Sequence, residues 1–160
     1  MTSGNSRTTR VVLTYGTFDL FHVGHVRLLR RLRALGSSLV VGLSTDEFNA
    51  GKGKESVIPY EARKEVLLAC RYVDKVIPEV SWEQKPNDIR CEEVSVFAMG
   101  DDWAGRFDDL NDLCEVVYLP RTRDISTTDI KGWVSALKGE QVSELVLTVD
   151  KLRTLITALR

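Results

Sequence analysis

The chain has two histidines, His22 and His25, three residues apart where an apolar run gives way to a helix-like segment. At a helix start, that spacing lets both imidazoles face one point. The helix dipole and the open N–H groups of the first turn favour negative charge there. An anion suits such a pair. A solvated pair and half of a metal site are the alternatives that the two residues alone leave open. Gly24 between them lets a ligand approach the backbone closely. A structural zinc would take four protein ligands. Cys70, Cys91 and Cys114 are far apart and form no CxxC pair, so they suggest neither a zinc site nor a disulfide framework and read as reduced, buried thiols.

Such a pair needs a scaffold to hold it. Residues 11–15 and 38–43 are short β-branched runs that read as buried strands. Between them Leu28, Leu29, Leu32 and Leu35 fall on one helical face, and Gly36 sits where that helix would end, so the two strands should pair in parallel. Pro59 suits the first turn of a second helix carrying Val66, Leu67 and Cys70 inward, followed by a third strand over 73–77 closed by Pro78. A weaker helix over 82–91, strands over 94–99 and 114–119, and a helix over 127–137 follow. Ser126 and Asp129 begin that last helix at capping-box spacing.

Strands alternating with helices predict an α/β fold: a single doubly wound, Rossmann-like domain with a five-stranded parallel sheet over residues 11–137, after a flexible segment 1–10. Lys138-Gly139-Glu140 reads as a break. Beyond it Val142, Leu145, Val149, Leu152, Ile156 and Leu159 keep heptad a/d spacing, so residues 141–160 are expected to form an amphipathic C-terminal helical extension. It could pack on its own domain or on a partner.

In an open parallel sheet ligands lie beyond the carboxyl ends of the strands, and three polar, glycine-bearing or hydroxyl-rich segments fall there: 16–25, 100–103 and 121–128. The Walker pattern, the GxSxG elbow and the GxGxxG fingerprint are all absent. Lys plus Arg number 22 against 23 Asp plus Glu, for a net charge of −1. That balance argues against general affinity for nucleic acid or anionic membrane. No run approaches the roughly 18 apolar residues that span a bilayer, so a cytoplasmic location is expected.

His22-Val23-Gly24-His25 is an HxGH signature, and Arg121-Thr122-Arg123-Asp124-Ile125-Ser126-Thr127-Thr128 is similar to an RTxGISTT signature. In this order, at the ends of the first and last strands, the two motifs resemble those of the cytidylyltransferase family, over about residues 10–131. Ser44 to Asn49, Arg71 to Asp74, Trp82 to Lys85 and Gly100 to Trp103 are most like its glycerol-phosphate branch. The resemblance implies transfer of CMP from CTP, accompanied by Mg²⁺, to an alcohol phosphate. It places His22, His25, Lys52, Lys54 and Arg121 in catalysis. It assigns CTP to Thr17, Phe18, His22, Gly24, His25, Lys54, Arg63, Asp101, Arg121, Ile125, Ser126, Thr127 and Thr128. The acceptor falls to Asp19, Lys52, Trp82 and Lys85, and a homodimer interface to the neighbourhood of Arg71 and Asp74. Asp124 departs from the pattern, standing where the family commonly has glycine. Another acceptor, such as a polyol phosphate, phosphocholine, phosphoethanolamine or a phosphonate, would keep the chemistry. A non-catalytic nucleotide-binding module would keep only the fold.

Overall fold

The computed structural model describes residues 9–121 and 126–158. Five strands form one sheet: β1 (Val11–Gly16), β2 (Ser38–Ser44), β3 (Lys75–Glu79), β4 (Val94–Gly100) and β5 (Glu115–Leu119). Their order is β3-β2-β1-β4-β5, and all four neighbouring pairs are parallel. Alternate residues of β1 bury on opposite faces. Val12 joins Leu39, Val41 and Val96 on one face, and Leu13 joins Val40, Phe97 and Met99 on the other. Burial on both faces is why these strands read as continuous apolar runs.

The first face is covered by Leu29 and Leu32 of α1 (Val23–Arg33) and Leu67 of α3 (Tyr60–Ala69). The second is covered by Ile89 of α4 (Lys85–Cys91), with Phe107 and Leu110 from the segment before β5. From β1 the chain winds outward to β2 and β3, then returns to place β4 on the other side of β1. The carboxyl ends of β1 and β4 therefore flank the switch point, where a doubly wound sheet opens a crevice for a ligand.

Several local expectations change. A short helix, α2 (Asp46–Gly51), follows β2. Pro78 does not close β3 but lies within it. β3 is an edge strand, and the Pro78 carbonyl accepts from Gln84 Nε2 (2.8 Å) on the side where a backbone N–H would also have pointed. The missing donor therefore costs no ladder bond. On α3 Leu67 is buried but Val66 is 43% exposed, and Cys91 is exposed, because each lies on the side of its helix away from the sheet.

The last helix, α5 (Thr127–Ala158), runs without a break through Gly139. A mid-helix glycine costs about 1 kcal/mol, whereas a break would require a second costly helix nucleus. Residues Ile125–Arg160 form a compact unit of their own, separate from Met1–Asp124. Within it the predicted capping box is present: Ser126 Oγ accepts from the Asp129 N–H (3.2 Å), and Asp129 Oδ2 accepts from the Ser126 N–H (2.8 Å). Val142 and Val149 of the predicted a/d seam are exposed. The side chains of Leu145, Leu152, Ile156 and Leu159 lie outside the described residues, as does most of segment 1–10.

Gly42 of β2 faces the Tyr15 ring so closely that a Cβ would lie 2.2 Å from Cδ1 and Cε1. Gly42→Ala is expected to cost about 1–3 kcal/mol through overpacking. Urea denaturation followed by circular dichroism checks this, and an unchanged midpoint would mean that Tyr15 moves aside freely.

Candidate active site

The loop from β1 to α1 is held under backbone strain. Phe18 and Leu20 both sit in the left-handed region with φ of 48°, which costs a non-glycine residue of order 1 kcal/mol. The Phe18 ring folds over Gly16, where a Cβ would lie 2.8 Å from it. Asp19, between the two strained residues, is buried, and its carboxylate accepts backbone N–H groups from Leu20 (3.1 Å), Val57 (2.9 Å) and Ile58 (3.0 Å). The resemblance places Asp19 at the acceptor. In the structure it pins the lysine-bearing loop after α2 to the histidine loop.

His22 is the N-cap of α1 and His25 its third residue, and together they make a capping box from two imidazoles. His22 Nδ1 accepts from the Gly24 N–H (3.0 Å) and the His25 backbone, while His25 Nδ1 accepts from the His22 N–H (3.3 Å). First-turn N–H groups that the sequence leaves open for an anion are thus taken by the histidines themselves. With both Nδ1 atoms acting as acceptors, each neutral ring carries its proton on Nε2, so each can donate to a phosphate oxygen. The rings stack with centroids 3.9 Å apart, and Phe18 and Phe21 pack against His25. Burial, reinforced by the adjacent His22 and opposed by Asp19, lowers the His25 pKa to about 4. At neutral pH His25 is therefore a neutral donor.

Arg63 is assigned to CTP by the resemblance, but the structure buries it at 2% exposure. Its guanidinium donates to the carbonyls of Ile58 (2.8 Å) and Thr17 (2.6 Å) and to Asp46 Oδ1 (2.6 Å). The Tyr60 N–H and Arg63 hold the Asp46 carboxyl below its ordinary value. Asn49 is fully buried, accepting from Thr17 Oγ1 (3.0 Å) and donating to Ser56 Oγ (3.0 Å). Thr17 is therefore tied down by both its hydroxyl and its carbonyl.

Lys52, at the end of α2, lies over the Phe48 ring (4.0 Å) and near Trp82 (5.4 Å). Its Nζ donates to Ser44 Oγ (3.2 Å) and stands 3.8 Å from Glu79. Burial, with Lys54, Lys85 and Arg63 nearby, lowers its pKa against the opposing pull of Glu79. Lys54 is exposed on the same loop. Lys85 is brought beside Lys52 but is buried, bonded to Glu79 (2.9 Å) and enclosed by Tyr15 (4.4 Å), Trp82 (4.6 Å) and Phe107 (5.7 Å). Burial and a hydrogen bond to Asp88 (2.7 Å) raise the Tyr15 pKa and keep its hydroxyl protonated. Among this group Tyr15 and Glu79 escape sequence reasoning. Their only signal is position, late in β1 and β3, which counts only once the strands are aligned.

The remaining assignments are placed less closely. Asp101 is exposed in a single 3-10 turn after β4, and Arg121 is exposed just past β5. Thr127 and Thr128 open α5 in the second unit, preceded by Ser126, while Ile125 and Asp124 lie outside the described residues. Arg71 is exposed with its guanidinium over Tyr72, and Asp74 accepts from the Leu39 N–H (2.8 Å) and pairs with Arg33 (3.1 Å). Among the described residues, no group of three His, Cys, Asp or Glu could hold a metal ion, and no helix is long and apolar enough to cross a membrane.

A parallel sheet wound in both directions from β1 thus carries a doubly histidine-capped helix at its switch point. The Cytidylyltransferase-like family matches residues 13–133, most of the chain, and the chain belongs to that family. Over 126 residues it is 59% identical to the glycerol-3-phosphate cytidylyltransferase of Bacillus subtilis (strain 168), covering 79% of this chain and 98% of that protein. It is 58% identical over 120 residues to the glycerol-3-phosphate cytidylyltransferase of Staphylococcus aureus (strain NCTC 8325 / PS 47), covering 75% and 91% respectively. Among solved structures, the lipopolysaccharide core biosynthesis protein of Thermoplasma volcanium GSS1 matches 71% of this chain and 98% of its own with a TM-score of 0.61. Its 20% identity makes that a likeness of fold.

Since the folded pKa of His25 lies below its unfolded value of about 6.5, the unfolded chain takes up the proton first. His25 therefore costs nothing above that value, destabilises the fold progressively as pH falls below it, and reaches its full cost below about 4. Relative to wild type, His25→Gln should gain stability on acidification from pH 7 towards about 4. Thermal melts across that range check this. A stability difference independent of pH would show that His25 is not held neutral.

Proposed function

We propose that the protein transfers CMP from CTP to glycerol 3-phosphate, forming CDP-glycerol and pyrophosphate. The observation that carries this reading is the paired imidazole cap, which commits both Nδ1 atoms to backbone and leaves each ring a proton on Nε2. Membership of the cytidylyltransferase-like family and 58–59% identity to two glycerol-3-phosphate cytidylyltransferases support it. A phosphate oxygen of the acceptor attacks the α-phosphorus of CTP. The bond to the bridging oxygen breaks, and its electron pair leaves with pyrophosphate. The nucleophile is already anionic, so no general base is required, and catalysis consists of alignment and stabilisation of developing charge.

His22 and His25 donate from Nε2 to the oxygens that gain charge. Lys54 and Arg121 serve the triphosphate, the role that the family motif also gives to the hydroxyls of Ser126, Thr127 and Thr128. Asp101 serves the cytosine. Lys52 meets the acceptor phosphate, with Lys85 and Trp82 behind it. Asp19 and Arg63 act through the loops they fix. Mg²⁺ enters with the triphosphate as part of the substrate. The reading also includes a homodimer, supported by exposed Val66 and Leu68 on α3 just ahead of Arg71. A cytoplasmic location goes with a cytoplasmic nucleotide.

One contact favours glycerol 3-phosphate over phosphocholine. A quaternary ammonium needs an aromatic cage, and the cage of Tyr15, Trp82 and Phe107 is already filled by the ammonium of Lys85. Pyrophosphate release from CTP and Mg²⁺ should therefore be at least about tenfold faster with glycerol 3-phosphate than with phosphocholine or phosphoethanolamine. His22→Ala and His25→Ala should each lower kcat on the order of 10². Lys85→Ala should raise the acceptor KM far more than the CTP KM. Turnover near normal in both histidine variants would overturn the mechanism, and faster turnover of phosphocholine would overturn the acceptor.

A further inference from the structure

We propose that Glu79 is the positioning residue of the acceptor site, a single buried carboxylate that holds Lys52 and Lys85 together for the acceptor's phosphate. This rests on the transfer reaction proposed above. Glu79 ends β3, and its side chain and that of Lys85 are each 3% exposed. Oε1 accepts from Lys85 Nζ (2.9 Å), and Oε2 accepts from Ser44 Oγ (2.5 Å). An ionised carboxylate can only accept, so Ser44 must give it the proton and turn a lone pair towards Lys52 Nζ, 3.2 Å away. Glu79 thus reaches Lys52 directly at 3.8 Å and again through the Ser44 hydroxyl.

The aromatic walls supply shape but cannot neutralise two ammonium groups. Phe48 and Trp82 flank Lys52; Tyr15, Trp82 and Phe107 enclose Lys85. Lys54 and Arg63 add positive charge on the side of Lys52. Asp88 is engaged by the Tyr15 hydroxyl and by Gln84, and Glu92 by Lys75, so neither substitutes for Glu79. With one carboxylate between two ammoniums the cluster keeps one surplus positive charge, which attracts a dianionic phosphate. Without it, burial and the repulsion of Lys54, Lys85 and Arg63 would act on Lys52 with no carboxylate to oppose them, favouring its neutral form and weakening its hold on the phosphate.

Glu79→Gln keeps the shape and removes the charge. The expected result is an acceptor KM raised on the order of tenfold, with the CTP KM changed by less than about twofold. The ratio of variant to wild-type acceptor KM should grow as the pH is raised and Lys52 loses its proton. Nuclear magnetic resonance titration of the Lys52 Cε should show the group titrating at lower pH in Glu79→Gln. If Glu79→Gln fails to fold, Ser44→Ala cuts the relay while sparing the Glu79–Lys85 pair, and should raise the acceptor KM with the same pH trend. Equal changes in both KM values, a ratio independent of pH, or an unmoved Lys52 titration would overturn the inference. Wild-type protein that forms no CDP-glycerol, in a sample where Glu79→Gln still shifts Lys52, would overturn the reaction and leave the lysine anchor standing.

Discussion

The structure of the site depends on one buried cation, the guanidinium of Arg63. It sits on α3, away from the switch point, yet its donors end on the loop after β1, on the start of α2 and on the segment before α3. A buried arginine is tolerated only when its charge and its donors are matched, and leaving such a group unmatched costs several kcal/mol. Here Asp46 matches the charge, and the Thr17 and Ile58 carbonyls take the remaining donors. Asp19 works in the opposite sense, as an anion clasping the N–H groups of Val57 and Ile58. One strained turn is thereby locked between a buried positive and a buried negative group, and its left-handed Phe18 and Leu20 persist because both locks close on it.

That rigidity matters because the chemistry proposed for this site is electrostatic. Donors that must reorient during the reaction contribute little, whereas donors already fixed stabilise charge as it develops. His22 and His25 are fixed by exchanging hydrogen bonds with each other's backbone, which settles their tautomers. Across the sheet, Glu79, Ser44 and the aromatic walls do the same for the lysines. A chain with a net charge of −1 still concentrates Lys52, Lys54 and Lys85 with Arg63 near one crevice, since the fold gathers cations that the sequence scatters over more than thirty positions.

Much of this was legible before folding. The strands at 11–16, 38–44 and 94–100 announce themselves because burial on both faces demands unbroken apolar runs. The HxGH and Arg121-to-Thr128 signatures carry the family because they are local, each complete within a few residues. What failed to show was of two kinds. Pro78 inside β3 and Gly139 inside α5 break rules that hold only on average: an edge strand spares the proline its missing donor, and a helix already propagating passes a glycine at small cost.

The other kind is pairing between distant positions. Residue types and local spacing by themselves determined the α/β class and the two paired-motif signatures, and the resemblance of those signatures pointed to the family, since periodicity and short motifs are local. Only the tertiary structure decided that Arg63 and Asp19 hold loops together and that Lys85 fills its own aromatic cage. It alone decided that Glu79 stands beneath two lysines, one 27 positions before it and one 6 after. The physical reason is that a buried charge has no meaning along the chain. Its role is set by the partner that satisfies it, and that partner is chosen by strand order and register.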